Sequence, residues 1–215
     1  QRGSTLVCAL EVLRLEALES KNESLGKEPF TMGLWVGNKV TPGTTQESHK
    51  AIQEIRDPNK FYSGSSPAQL TSCPWCGTEV SAKRDIEVDT KTLGTKIYCG
   101  DKKGSCEFSK GQSSKNIHPG IPVLMVDEEI YHRPPSMMIA TVDKFARIPF
   151  DQRASSIFGN VNIFHRIYGY GRIGKEIFQT PLDESINKPI PLNDADFSQV
   201  KPFKPPELII QDELH

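Results

Sequence analysis

The sequence contains no run approaching the roughly 18 apolar residues of a membrane helix, so none of it is expected to span a bilayer. It has no excess of one charge: 26 Lys and Arg stand against 27 Asp and Glu in 215 residues. That balance excludes a histone-like polycation and a charged disordered tail, so any nucleic-acid contact must come from a local groove. A charged-then-apolar leader is missing, as is an initiator Met before Gln1, and the cysteine pattern is not that of a secreted module. A cytoplasmic location is expected. What remains, 36% hydrophobic and 25% charged, is enough for one good core and a small second module. The end at Asp212-Glu213-Leu214-His215, directly after Leu208-Ile209-Ile210, suggests a piece of a longer protein.

Residues 4–19 are helix formers throughout, with Ser4 or Thr5 as N-cap. Leu6, Leu10, Leu13 and Ala17 share one face and are expected to pack on a sheet, with Glu11 and Arg14 as a polar edge. Phe30 to Val36 reads as a strand ending in the turn Gly37-Asn38-Lys39. Residues 41–70 are polar and turn-rich, a linker with a short helix around His49 to Arg56. Order resumes with Pro122 to Val126, the acidic Asp127-Glu128-Glu129, the apolar Met137 to Ala140 as a buried strand, and a helix starting near Thr141. Six of the 16 prolines lie between Pro181 and Pro206, so 151–206 is expected to be an extended wrap or linker. Leu208 to Ile210 is expected to be a buried strand of the parallel kind. Helix and strand alternate wherever the pattern is readable, which indicates an α/β sheet interrupted by two long insertions.

Four of the five cysteines fall in one short stretch. Cys73-Pro-Trp-Cys76-Gly77 and Cys99 to Cys106 give C-x2-C, a spacer of 22 and C-x6-C. Two such pairs can converge on one ion, with sulfurs about 2.3 Å from zinc and backbone amides of the Gly-containing turns aimed at them. Ile86-Glu-Val-Asp89 and Lys96-Ile-Tyr98 alternate like the strands of a zinc ribbon, so 71–118 is expected to be a zinc-ribbon-like insertion. Four thiolates leave no position for a catalytic water, which makes the zinc structural. Reduced free thiols, two disulfides or a thioredoxin-like redox motif remain as alternatives. Cys8 reads as a small buried thiol.

A carboxylate pair at the carboxyl end of a buried parallel strand is a place to hold Mg²⁺ and a polarised water. Asp212 would hold the ion through its water shell, Glu213 would orient or deprotonate the water, and His215 would connect the site to a neighbouring domain. An acidic strand end on a solvated edge is the competing reading. Gly169-Tyr-Gly-Arg-Ile-Gly174-Lys175-Glu176 matches both phosphate-loop spacings superficially. It fails because Glu176 stands where a P-loop needs Ser or Thr, so the chain has no convincing Walker A element.

The order of these features resembles the first motor domain of superfamily 2 (DExH) helicases, from beyond motif Ia through motif II. Gly37 stands at the glycine turn, Thr141-Val-Asp-Lys144-Phe145 is similar to the Thr-Pro-Glu-Lys-Leu motif, and Asp212 to His215 is similar to the DExH box. The phrases Arg2 to Glu11, Leu34-Trp-Val-Gly37, Cys73 to Gly77, Ile139 to Ala146 and Pro205 to His215 are similar to the helicase subunit of the DISARM antiphage system. The resemblance implies an incomplete RecA-like sheet: residues 1–40, 119–150 and 207–215 form the core, with 41–70, 71–118 and 151–206 interrupting it. It also implies ATP and Mg²⁺ bound in the full-length protein by Asp212 and Glu213. Gly37, Thr141 and Lys144 would lie along single-stranded DNA, within a complex of defence subunits. A non-enzymatic zinc-ribbon scaffold that binds DNA or a protein is the alternative. Lys102, Lys103, Lys110 and Lys115 around the second cysteine pair would suit it.

Overall fold

The computed structural model describes residues 2–113, 120–172, 182–183, 188–189 and 192–210. The first helix, α1 (Arg2–Glu19), starts before the expected cap, so Ser4 and Thr5 lie inside it and neither is its N-cap, and a different face from the expected one is buried. Ser4, Val7, Cys8, Glu11 and Arg14 turn inward, while Leu6 and Leu13 stay 54% and 53% exposed. The supposed polar edge explains the rotation. Arg14 donates to both oxygens of the Glu11 carboxylate at 2.8 and 2.6 Å and to the Lys27 carbonyl, while the Phe30 amide donates to Glu11 Oε2. A buried ion pair whose other hydrogen-bonding positions are also filled can be tolerated in an interior, and this one ties the helix to the chain entering the first strand.

That strand, β1 (Met32–Trp35), is the middle of a three-stranded parallel sheet. Helix α2 (Thr45–Arg56) follows, started by a capping box in which Thr44 and Glu47 bond each other's backbone. It buries Thr45, Ser48, Ala51 and Ile52, so 41–70 is not merely a linker. The cysteine region contributes α3 (Ala82–Asp85), an antiparallel hairpin of β2 (Ile86–Asp89) and β3 (Gly94–Ile97), and α4 (Lys110–Ser113). Then come β4 (Val123–Leu124), α5 (Asp127–His132), β5 (Met137–Ala140) and α6 (Val142–Arg147). Strands β4 and β5 flank β1, both parallel to it. Strand β5 is the edge of this sheet among the described residues, and its Met137 and Ile139 are 38% and 46% exposed rather than buried.

Residues 151–206 also differ from the expected wrap. A 3-10 helix over Gln152–Phe158 packs on α5, and β6 (Ile163–His165), β7 (Gly169–Gly171) and, later, β10 (Phe197–Gln199) make an antiparallel sheet in the order β10-β6-β7. Between them β8 (Leu182–Asp183) pairs with β9 (Lys188–Pro189). Gly169 explains why this loop has its glycine. Its φ is +94°, and an added Cβ would lie 2.2 Å from the His132 carbonyl oxygen. The position serves close packing on α5, and Gly174 and Lys175 lie outside the described residues.

The expected strand at Leu208 to Ile210 is not paired among the described residues. Its side chains are 75%, 65% and 81% exposed. An apolar run of strand length becomes a strand only beside an edge that bonds its backbone, and here it lies against none.

The ribbon does not have a separate core. One cluster of buried residues joins Val7 and Cys8 of α1, Met32 of β1, Ile52 of α2 and Val123 of β4 to Cys73, Ile86, Ile97, Cys99, Cys106 and Phe108. A second, smaller cluster of Trp35, Ile130, Tyr131, Ala154 and Ile157 holds α5 and the 3-10 helix on the other side. Half-buried Arg133 bonds the carbonyls of Thr92 and Leu93 at the hairpin tip and of Ile167 before β7, joining the cysteine region, α5 and the second sheet.

Candidate functional site

The two cysteine knuckles close on one point. Cys73 Sγ lies 3.9 Å from Cys106 Sγ and Cys76 Sγ lies 3.4 Å from Cys99 Sγ, and all four sulfurs fall within 4.8 Å of one another. These separations exclude disulfide bonds, and the cysteines are free. They fit a tetrahedral ion, which at about 2.3 Å from each sulfur sets neighbouring sulfurs roughly 3.8 Å apart. The first knuckle is fixed by Cys73 N donating to Thr78 O and Gly77 N donating to Cys73 O, with Gly77 at φ +80°. The second is fixed by Asp101, which accepts from the amides of Lys103, Ser105 and Cys106.

The thiols differ in their acidity. Burial works against Cys76, yet the Thr78 hydroxyl and amide bring it down to about 7. Burial pushes Cys99 up to about 12 and Cys106 higher still. The convergence of four sulfurs within 4.8 Å is what lets the site hold a metal ion, and a bound cation would draw the protons off Cys99 and Cys106.

The other predicted positions gather at the carboxyl ends of β1 and β5, or lie outside the described residues. Trp35 pairs with Ala140, and the Thr141 amide donates to the Trp35 carbonyl at 3.2 Å. Gly37 and Thr141 therefore occupy neighbouring positions on one rim of the parallel sheet. Thr141 is the N-cap of α6, but its hydroxyl makes no capping bond and is exposed. Around Gly37 an added Cβ would meet nothing within 4 Å, so its backbone faces open space.

Lys144 is placed differently, being 5% exposed. Its ammonium donates to Asn38 Oδ1 at 2.8 Å and pairs with the Asp127 carboxylate. It clamps the turn after β1 to the helix after β5. Beside it is a cavity of about 190 Å³ lined by Asn38, Thr44, Glu47, Asp127, Lys144 and Arg153, among others. Crevices at the carboxyl ends of parallel strands are where open α/β sheets bind ligands. Asp212, Glu213 and His215 lie outside the described residues.

The chain is similar to DISARM protein DrmA of Bacillus paralicheniformis. The identity is 37% over 212 residues, covering 93% of this chain. The chain spans 16% of the length of that relative. No family model matches it. Among the described residues, no helix is long and apolar enough to cross a membrane.

The sequence reading noted Asp127-Glu128-Glu129 but gave these residues no role, and all three are buried. Glu128 accepts from the Thr45 amide and hydroxyl, both at 2.9 Å, fastening α5 to the start of α2. Asp127 and Glu129 each retain a buried oxygen without a partner among the described residues. Burial raises the Asp127 carboxyl despite Lys144. Burial also pushes Glu129 from 4.5 up to about 8, with Thr95 and Arg133 acting against it. Three acidic letters in a row look like a solvated face, and only the long-range partners Thr45, Lys144 and Thr95 reveal otherwise.

Glu129 has a consequence for pH. Between about 4.5 and 8 the folded chain holds a proton on this carboxyl that the unfolded chain has released, so stability from this group is full at low pH and falls as pH rises through the window. Thermal unfolding of wild type should therefore drop by several degrees from about pH 5 to about pH 8, and Glu129→Gln should remove most of that slope. An equal slope in both proteins would show that Glu129 is charged throughout.

Proposed function

We propose that this chain is a segment of a superfamily 2 ATP-dependent DNA helicase or translocase that works in the cytoplasm in antiphage defence, alongside other subunits of a DISARM-type complex. The observation that carries the reading is the 37% identity to DISARM protein DrmA along 93% of the chain. The geometry is compatible with it. A parallel sheet with α1 and α5 packed against β1 is what an incomplete RecA-like domain would present. In this reading the apolar run Leu208 to Ile210, exposed and unpaired among the described residues, would pair with the open edge of β5 in the full-length protein and carry Asp212 and Glu213 to the rim that already holds Gly37 and Thr141. Asp212 would then hold the Mg²⁺ of bound ATP, Glu213 would orient or deprotonate the water and His215 would connect the site to the neighbouring domain.

At the rim, the Gly37 backbone and the Thr141 hydroxyl hold DNA phosphates without reading bases. Lys144 acts by fixing Asn38 and the turn beside the track. The four cysteines hold a structural zinc that contributes folding energy and takes no part in turnover. The full-length protein should hydrolyse ATP faster when single-stranded DNA is added. Thr141→Val should raise the DNA concentration giving half-maximal stimulation by roughly tenfold, the worth of one hydrogen bond to a charged group. Turnover that ignores DNA, or a variant that responds like wild type, contradicts the reading.

A further inference from the structure

A second cleft lies beside the ribbon's second knuckle, with a volume of about 420 Å³. Four cations line it: Arg84, Lys102, Lys103 and Lys110. Its two carboxylates are already engaged. Asp85 accepts from Arg84 and from the Ser81 amide, and Asp101 accepts from three backbone amides of its own turn. Lys110 pairs with Glu87 at an exposed position. Lys102 and Lys103 are exposed, and neither ammonium enters an ion pair among the described residues.

Gly100 packs against the protein itself: an added Cβ would lie 2.0 Å from the Glu79 carbonyl and 2.7 Å from Arg84 Nη2, so the chain is fixed where it enters the turn that carries the lysines. Asp101 stiffens the turn that carries the two lysines. Their charges are therefore presented by a rigid element, which lowers the entropy lost on binding.

We infer that this cleft is a second contact for the phosphodiester backbone of DNA, held by Lys102 and Lys103 and flanked by Arg84 and Lys110. The inference rests on the DNA reading above and adds to it a site away from the strand-end rim. The chemistry favours phosphate over a carboxylate-bearing peptide because the cations stand in a narrow run beside glycines, which suits a repeating anion that needs no side-chain pocket. Cys99 also lines the cleft, and as a metal ligand it would carry negative charge, so the anion is placed at the lysine rim. Nothing in this arrangement reads bases, so binding here is independent of sequence.

The test uses the full-length protein, a fluorescein-labelled duplex with a single-stranded tail, and a salt titration. Each phosphate contact contributes about 0.9 to the slope of log affinity against log salt on duplex DNA. Lys102→Gln combined with Lys103→Gln should lower the slope by about two and weaken binding roughly tenfold at moderate salt, with the metal content unchanged. Lys102→Arg with Lys103→Arg should restore both. If the glutamine pair loses metal, Lys103→Gln alone decides, with about half the change in slope.

An unchanged slope in a metal-loaded variant overturns the inference and leaves the motor reading standing. Wild type that binds no DNA overturns both. Inorganic pyrophosphate separates the two phosphate sources. Should the variant lose pyrophosphate binding yet keep the wild-type DNA slope, the cleft belongs to free polyphosphates and the inference fails.

Discussion

If the four cysteines hold zinc as proposed, Cys73→Ser should cost the protein that metal and loosen the parallel sheet together with the cysteine region. A hydroxyl is a poor zinc ligand at neutral pH, and the three remaining sulfurs cannot close a tetrahedral site. In small zinc modules the metal supplies on the order of 10 kcal/mol of folding free energy, comparable with the whole stability of a domain. Here the loss does not stop at the knuckle. Cys73 is 2% exposed and packs in the same cluster as Val7, Cys8, Met32, Ile52 and Val123, which belong to α1, β1, α2 and β4. The Thr5 hydroxyl also donates to the Pro74 carbonyl at 3.1 Å, so the first helix rests on the first knuckle. Freshly purified wild type should contain one zinc per chain and the variant none. Amide exchange in β1 and β4 should lose protection along with β2 and β3. A variant without metal whose sheet amides stay protected would show that the ribbon folds and unfolds by itself.

The parts of this molecule governed by neighbours in sequence were legible from it. The C-x2-C and C-x6-C spacings predicted the convergence of four sulfurs, because each knuckle is a local turn. The β2–β3 hairpin and the strands at Met32 and Met137 followed from short apolar or alternating runs, and Thr141 was placed correctly before α6. What sequence periodicity misjudged depended on distant partners. Leu6 and Leu13 form the better apolar stripe, yet Glu11 and Arg14 face inward because Lys27 and Phe30 supply the bonds that let a charged pair be buried. Lys144 in the motif-like Thr141 to Phe145 stretch was expected along the DNA track by resemblance, and Asp127 and Asn38 engage it inside the fold. The capping box of Thr44 and Glu47 was visible in a stretch whose composition favoured a linker. In the antiparallel sheet β10-β6-β7 the β6–β7 hairpin is local, whereas β10 pairs with β6 from more than 30 positions away in a Gly- and Pro-punctuated region, beyond the reach of any local pattern.

Glu213→Gln in the full-length protein should leave ATP bound but stop its turnover. The substitution keeps the shape of the side chain and removes the carboxylate that takes a proton from, or aligns, the attacking water. Asp212, which would hold the Mg²⁺ in this reading, is left in place. Loss of a positioned general base costs about 10² to 10⁴ in rate, whereas loss of a merely structural acid on a solvated strand end costs little. The decisive measurement is steady-state ATP hydrolysis by wild type and Glu213→Gln at saturating DNA, with ATP affinity measured on the same preparations. The account predicts a fall of about a thousandfold in turnover with affinity changed by no more than a few-fold. Equal turnover in the two proteins would contradict it.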